Sequence, residues 1–81
     1  MEKIITIEST KGLHAQLANK LVQVSNKYDV EIYLQYDNVR IDAKSILGLM
    51  SLAVPNGENV KVVANGADSL KAIQEIEKLL G

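Results

Sequence analysis

The chain has 81 residues, which is room for one domain, since two domains of half that length would each lack a hydrophobic core. Hydrophobic residues make up 47% and charged residues 23% of the chain, proportions that exclude an intrinsically disordered protein and are typical of a small globular one. Nine Lys and Arg against ten Asp and Glu leave a net charge of −1, so the chain lacks the positive field that a nucleic-acid-binding protein needs.

Cysteine usage and the amino terminus indicate the compartment. The chain contains no cysteine, which excludes a disulfide framework, a zinc–thiolate site and a thiol nucleophile. Residues 1–5 lack the apolar stretch of a signal peptide, and the longest uncharged run, residues 45–57, is interrupted by Gly48, Pro55 and Gly57. We therefore expect a cytoplasmic protein without an export signal or a membrane span.

The first half of the chain predicts a strand, a helix and a hairpin. The β-branched segment 3–8 predicts the first strand. After Gly12 the apolar residues recur at helical spacing, which predicts an amphipathic helix, with Leu17, Leu21, Val24 and Tyr28 on its apolar face. Residues 30–36 and 39–43 alternate between apolar and polar, and the two residues between them, Asp37-Asn38, suit a tight turn because both tolerate left-handed backbone conformations.

The second half predicts a short helix, a strand and a longer helix. Ser45 suits the N-cap of a helix of one or two turns over residues 46–53. Turn signals at residues 55–57 and at Asn65-Gly66 flank a strand at residues 60–64. Asp68 or Ser69 is expected to cap the last helix, whose inward positions at helical spacing are Leu70, Ile73, Ile76 or Glu77, and Leu80.

This β-α-β-β-α-β-α order predicts an α+β fold in a single domain over residues 1–81. We expect an open-faced β-sandwich, in which a four-stranded, mainly antiparallel sheet buries one face under its helices. The opposite face of the sheet should stay in contact with water, since it carries the polar half of the alternating strands, namely Glu31, Tyr33, Gln35, Arg40 and Asp42.

The single histidine, His14, stands immediately before the first helix, in a stretch without a Ser, Thr, Asp or Asn to cap it. Such a helix start leaves four amide donors without side-chain acceptors at the positive end of the helix dipole, which is a place for an anionic group. A neutral imidazole beside them is a nucleophile that can carry a phosphoryl group. The alternative is an ordinary surface histidine in a loop, or one whose side chain caps the helix itself. No second histidine or carboxylate lies near it in the sequence, so we expect no metal and no cofactor.

Two motifs resemble those of HPr, the family of histidine-containing phosphocarriers of the bacterial sugar phosphotransferase system. The first is Gly12-Leu13-His14-Ala15, and the second, further along, is the segment 44–52 with sequence KSILGLMSL, in the form typical of Gram-positive members. Element order, length and the spacing of the two motifs agree with the family over nearly the whole chain.

The resemblance implies a phosphocarrier that is not itself an enzyme. His14 would accept a phosphoryl group from phospho-Enzyme I, charged by phosphoenolpyruvate, and pass it to a sugar-specific enzyme IIA. Ser45 matches the site where an ATP-dependent HPr kinase/phosphorylase acts on many of these proteins, which converts them into ligands of a catabolite-control transcription factor. A phosphate at a helix N-cap faces the favourable end of the dipole; the alternative is that Ser45 is a plain N-cap.

The resemblance also implies a docking surface, formed by the residues that match the exposed apolar positions of the family, Ile46, Leu47 and Met50. The alternative is that two of these three side chains belong to the core. Lys20 and Lys27 are expected to steer acidic partners to this surface. We expect the chain to act as a monomer that binds neither nucleic acid nor a membrane.

The motif around the histidine departs from the family pattern at two positions. The family has Arg and Pro where this chain has Gln16 and Leu17, so the expected phosphate cradle consists of Ala15, Gln16 and Leu17. A neutral amide replaces a cation there, which should slow phosphotransfer. Two alternatives follow, namely an HPr-like regulatory protein with impaired phosphorelay that acts through Ser45 and the apolar residues beside it, and an unrelated interaction module of the same shape.

Overall fold

The computed structural model describes residues 1–81 and confirms the predicted order of elements. The strands and helices are β1 (Glu2–Thr6), α1 (Ala15–Lys27), β2 (Glu31–Tyr36), β3 (Val39–Asp42), α2 (Ile46–Leu52), β4 (Asn59–Asn65) and α3 (Ser69–Leu80). None of the three helices is both long enough and apolar enough to cross a lipid bilayer.

The four strands form one sheet in the order β1-β4-β2-β3, and every neighbouring pair is antiparallel. Residues that point to the same face therefore line up across the strands: Ile5 lies opposite Val60, and Leu34 lies opposite both Val62 and Ile41. Asp37 and Asn38 have φ values of 51° and 64°, which is the left-handed pair that a two-residue hairpin turn requires. The hairpin predicted from the sequence is thus confirmed.

The core lies between one face of the sheet and the three helices. Twenty buried residues form a single hydrophobic cluster. The strands contribute alternate side chains, because successive residues of a strand point to opposite faces. The helices contribute one stripe each, and the largest fully buried side chains are Ile7, Leu21, Ile32, Leu34, Leu49, Ile76 and Leu80.

The opposite face of the sheet is open, as predicted, but the side chain at its centre is less exposed to water than the sequence indicated. Glu31 and Asp42 are exposed, whereas Val63, which sits on this face between Glu2 and Tyr33, is only 7% exposed. The Arg40 guanidinium lies 4.4 Å from the centre of the Tyr33 ring, a cation–π distance. These two side chains pack against each other on the open face.

The start of α3 differs from the expectation. Asp68 occupies the N-cap position but its side chain accepts no hydrogen bond from the helix. Its Oδ2 instead accepts from the backbone N–H of Asp29 at 3.0 Å, and the Ser69 hydroxyl donates to the Gly66 carbonyl at 2.8 Å. The predicted cap residue therefore ties the α1–β2 loop to the β4–α3 turn.

Candidate functional site

His14 is the N-cap residue of α1 and provides no side-chain cap for the helix. The first helical hydrogen bond runs from the Ala18 N–H to the His14 carbonyl at 2.9 Å. The N–H groups of Ala15, Gln16 and Leu17 donate to no protein acceptor. Three amides are thus free, one fewer than the four expected, because the N–H of His14 itself donates to the Gly12 carbonyl at 3.0 Å.

The loop before α1 fixes the imidazole through Gly12. Gly12 has a φ of 65°, and its carbonyl also lies 3.0 Å from Nδ1 of His14. A carbonyl oxygen only accepts, so this contact is a hydrogen bond when Nδ1 carries the proton. A phosphoryl group could reach Nδ1 only after this bond is released, whereas Nε2 is not engaged in it.

A backbone contact that sequence reasoning missed joins this loop to the segment after α2. The Leu13 N–H donates to the Val54 carbonyl at 2.8 Å, and Leu13 is buried. A Cβ on Gly12 would lie only 2.3 Å from the same oxygen. The sequence carries no signal for this contact, because the acceptor is a main-chain atom distant along the chain.

The start of α1 presents a positive end that no side chain neutralises. The helix has 13 residues and no acidic residue in its first turn. The free amides and the helix dipole therefore act together on any anion held beside His14. His14 is partly exposed, and Ala15 and Gln16 are exposed, so an incoming group can approach.

Ser45 is the N-cap of α2, as predicted, and its Oγ accepts from the Gly48 N–H at 3.1 Å. The residue is exposed, so its side chain is in contact with solvent while it caps the helix. The neighbouring Asp42 carboxylate accepts from the Lys44 N–H at 2.9 Å, which fixes the turn that leads into α2.

Replacing Ser45 with Ala is expected to lower the free energy of unfolding by about 1 kcal/mol, since the Gly48 N–H loses its acceptor. Urea unfolding monitored by circular dichroism measures the change. Ser51→Ala is the matched control, because the Ser51 hydroxyl donates to the Gly48 carbonyl inside the same helix and caps nothing. A loss of equal size in both variants would contradict the capping role.

Three apolar side chains of α2 face outward and form what we call the apolar patch, Ile46, Leu47 and Met50. They are 38%, 82% and 43% exposed, whereas Leu49 and Leu52 of the same helix are buried. A helix of seven residues has one core-facing stripe, so its remaining apolar residues must lie outside. Val54, in the segment that follows α2, accepts a hydrogen bond from the Leu13 N–H. This bond connects the end of the helix that carries the apolar patch to the histidine loop.

A family model described as the PTS HPr component phosphorylation site matches residues 1–81, the whole chain. The chain belongs to the HPr family. Solved structures agree: HPr-C-His from Thermoanaerobacter tengcongensis is 40% identical with a TM-score of 0.93, over 99% of this chain and 90% of that one. An HPr from Bacillus anthracis is 28% identical with a TM-score of 0.95, over 100% and 96%.

A further relative carries a name that refers to catabolite repression. Crh of Bacillus subtilis, described as a catabolite repression protein that forms a swapped dimer, is 34% identical with a TM-score of 0.79, over 94% of this chain and 87% of that one. The similarity thus extends to family members whose names refer to regulation as well as to phosphocarriers.

The two departures from the HPr motif have different structural consequences. The Leu17 side chain is buried in the core, so it anchors the first turn of α1 by packing, and its N–H remains free, which a proline would not offer. Gln16 is exposed and its side chain makes no hydrogen bond. Only Gln16 therefore changes the polar surroundings of His14.

The two lysines expected near the docking surface both line a cavity between α1 and α3, but only one of them forms an ion pair. Lys27 ends α1, about 18 Å along the helix from its start, and its Nζ donates to Glu75 at 2.8 Å. This hydrogen bond and the charge of Glu75 raise the pKa of Lys27. Lys20 is exposed and forms no ion pair. The structure does not bring Lys27 to the surface around His14.

Proposed function

We propose that this HPr-family chain accepts a phosphoryl group on His14 from phospho-Enzyme I and transfers it to a sugar-specific enzyme IIA. The observation that carries the proposal is the position of the imidazole beside the three free amides of α1. In the accepting step a ring nitrogen forms the bond to phosphorus while the donor's bond to phosphorus breaks. The negative oxygens of the group then face the amides and the positive end of the helix dipole.

The chain acts as a carrier in this proposal. It supplies the nucleophile and the amides that bind the phosphoryl oxygens, and the partner enzymes supply the rest of the phosphoryl-transfer chemistry. Enzyme I and enzyme IIA bind at the apolar patch in this proposal. Its exposed Leu47 is suited to a contact from which water is excluded. Lys20, which lies nearer than Lys27 to the start of α1, adds a positive charge that favours acidic partners. We propose that the protein acts in the cytoplasm, where phosphoenolpyruvate is available.

Gln16→Arg is expected to accelerate phosphoryl acceptance about fivefold to tenfold, since a charge-assisted hydrogen bond is stronger than one from a neutral amide by roughly 1 kcal/mol. Rapid-quench measurement of transfer from phospho-Enzyme I gives the rate. Gln23→Arg, at another exposed position of α1, is the matched control for added charge. Equal acceleration in both variants would assign the effect to net charge and not to contact with the phosphoryl group.

We also propose that Ser45 is a phosphorylation site for an HPr kinase/phosphorylase, and that the product binds a catabolite-control transcription factor. Support comes from its exposed hydroxyl, its N-cap position and the similarity to Crh. A phosphate there lies at the favourable end of the α2 dipole. The test is incubation with ATP and the kinase, which should give an acid-stable phosphate that Ser51→Ala keeps and Ser45→Ala loses.

The monomeric state predicted from the sequence stays a prediction. Two related structures are described as dimers, Crh and an HPr of Thermoanaerobacter tengcongensis. Size-exclusion chromatography with light scattering over a range of concentrations distinguishes a monomer from a dimer.

A further inference from the structure

Two Asn-Gly pairs lie in turns of this chain, Asn56-Gly57 and Asn65-Gly66. In such a pair the backbone nitrogen of Gly can attack the side-chain amide carbon of Asn, because Gly has no side chain to obstruct the approach. In a folded protein the attack requires a glycine nitrogen that is not already held in a hydrogen bond. The two pairs differ in this respect.

In the first pair, Asn56-Gly57, the glycine nitrogen is held in a hydrogen bond. The Gly57 N–H donates to the Ile7 carbonyl at 2.8 Å, and the Ile7 N–H donates to the Glu58 carbonyl at 2.9 Å. Ile7 is fully buried. The Gly57 nitrogen must leave the Ile7 carbonyl before it can lose its proton and attack Asn56, and the neighbouring bond from Ile7 to Glu58 holds this segment in place, so the reaction requires a local opening of the structure.

The second pair has no such protection. The Gly66 N–H donates to no acceptor, and the Asn65 side chain makes no hydrogen bond. Both residues are exposed, and Asn65 is the last residue of β4. Strand ends open more easily than strand centres, so the rotation that brings the two groups together is easier here than at Asn56.

We propose that Asn65 is a site of spontaneous deamidation in the folded protein and that Asn56 is protected from it. The deprotonated Gly66 nitrogen forms a bond to the Asn65 side-chain carbon, the bond from that carbon to the amide nitrogen breaks, and ammonia leaves. Water then opens the resulting cyclic imide at either carbonyl, which gives aspartate or isoaspartate. No catalyst or oxidant is needed, since the nucleophile belongs to the chain and the second reactant is water.

The product places a carboxylate where the fold already holds negative charge. Asn65 lies directly opposite Glu31 in the sheet, and like charges at such a position destabilise a strand pair. Asp29 and Asp68 hold the adjoining loop through a hydrogen bond of 3.0 Å. Isoaspartate also lengthens the main chain next to Gly66, whose backbone packs so closely on Asp29 that a Cβ would lie 2.7 Å from its carbonyl oxygen.

The experiment compares deamidation at the two sites by peptide mapping and mass spectrometry after incubation in mildly alkaline buffer. In the native protein Asn65 is expected to react at least about tenfold faster than Asn56, whereas in concentrated urea the two rates should converge, because unfolding frees both glycine nitrogens. Equal native rates, faster reaction at Asn56, or no native reaction at Asn65 while both sites react in urea would each overturn the proposal.

Variants that mimic the product test its consequence separately. Asn65→Asp is expected to lower the melting temperature by about 2–6 °C through repulsion from Glu31. Asn56→Asp, at an exposed turn position without a facing acidic strand residue, is the control and should melt within about 1 °C of the parent chain. Equal melting of the two variants would overturn the claim that the modification weakens the sheet.

Discussion

Replacing Gly12 with Ala is expected to lower the free energy of unfolding by about 2–4 kcal/mol and to slow phosphoryl acceptance at His14. The added Cβ would lie 2.3 Å from the Val54 carbonyl oxygen and 3.0 Å from the Cα of Pro55. Both are backbone atoms, so relief requires a movement of the loop. The same residue holds His14 through its carbonyl, and a shift of the loop therefore moves the imidazole relative to the free amides.

Gly57→Ala is the matched control for this change. Gly57 has a φ of 89°, also in the left-handed region, but a Cβ there would meet no atom within 4 Å. The control should lose only the backbone cost, about 1–2 kcal/mol, and should accept phosphate at the parent rate. Denaturant unfolding and rapid-quench transfer are measured on both variants. Equal unfolding free energies would show that the contact with Val54 does not constrain the loop.

Leu47→Asp is expected to reduce the rate of phosphotransfer at limiting protein concentration about 30-fold or more, because a central apolar contact of about 2 kcal/mol is replaced by a charge that must be desolvated. Leu47 is 82% exposed, so the folded chain loses almost no packing when it is changed. The measurement is initial transfer from phospho-Enzyme I, with thermal unfolding of the variant recorded in parallel.

Leu70→Asp serves as the control for this second prediction. Leu70 is 55% exposed on α3, outside the apolar patch. Its replacement adds the same charge to the chain and should leave the transfer rate within about twofold of the parent, in line with ordinary surface substitutions. A comparable loss of rate in both variants would remove the apolar patch from the proposed docking surface.

Local patterns of the sequence were sufficient for most of the fold. The period-2 alternation of residues 30–36 and 39–43 and the turn residues Asp37 and Asn38 specified the hairpin, because the backbone conformations they favour are set by neighbours in the chain. The absence of a side-chain cap at His14 was likewise readable, since capping depends on the residue at that position.

Contacts between distant segments were not predictable in the same way. Asp68 bonds to Asp29 and not to its own helix, and Lys27 pairs with Glu75, because the fold brings alternative partners within reach of these side chains. The burial of Val63 on the open face follows from its position between β1 and β2, which a strand pattern alone does not specify. The contact from Leu13 to Val54 uses main-chain atoms that carry no residue identity.

Incubation with phosphoenolpyruvate and Enzyme I tests the role of His14 most directly. We expect a phosphate on the chain that is labile in acid and stable in base, that is absent from His14→Ala, and that a purified enzyme IIA removes. A chain that takes up no phosphate while an established HPr is labelled in the same mixture, or a His14→Ala variant labelled as fully as the parent, would contradict it.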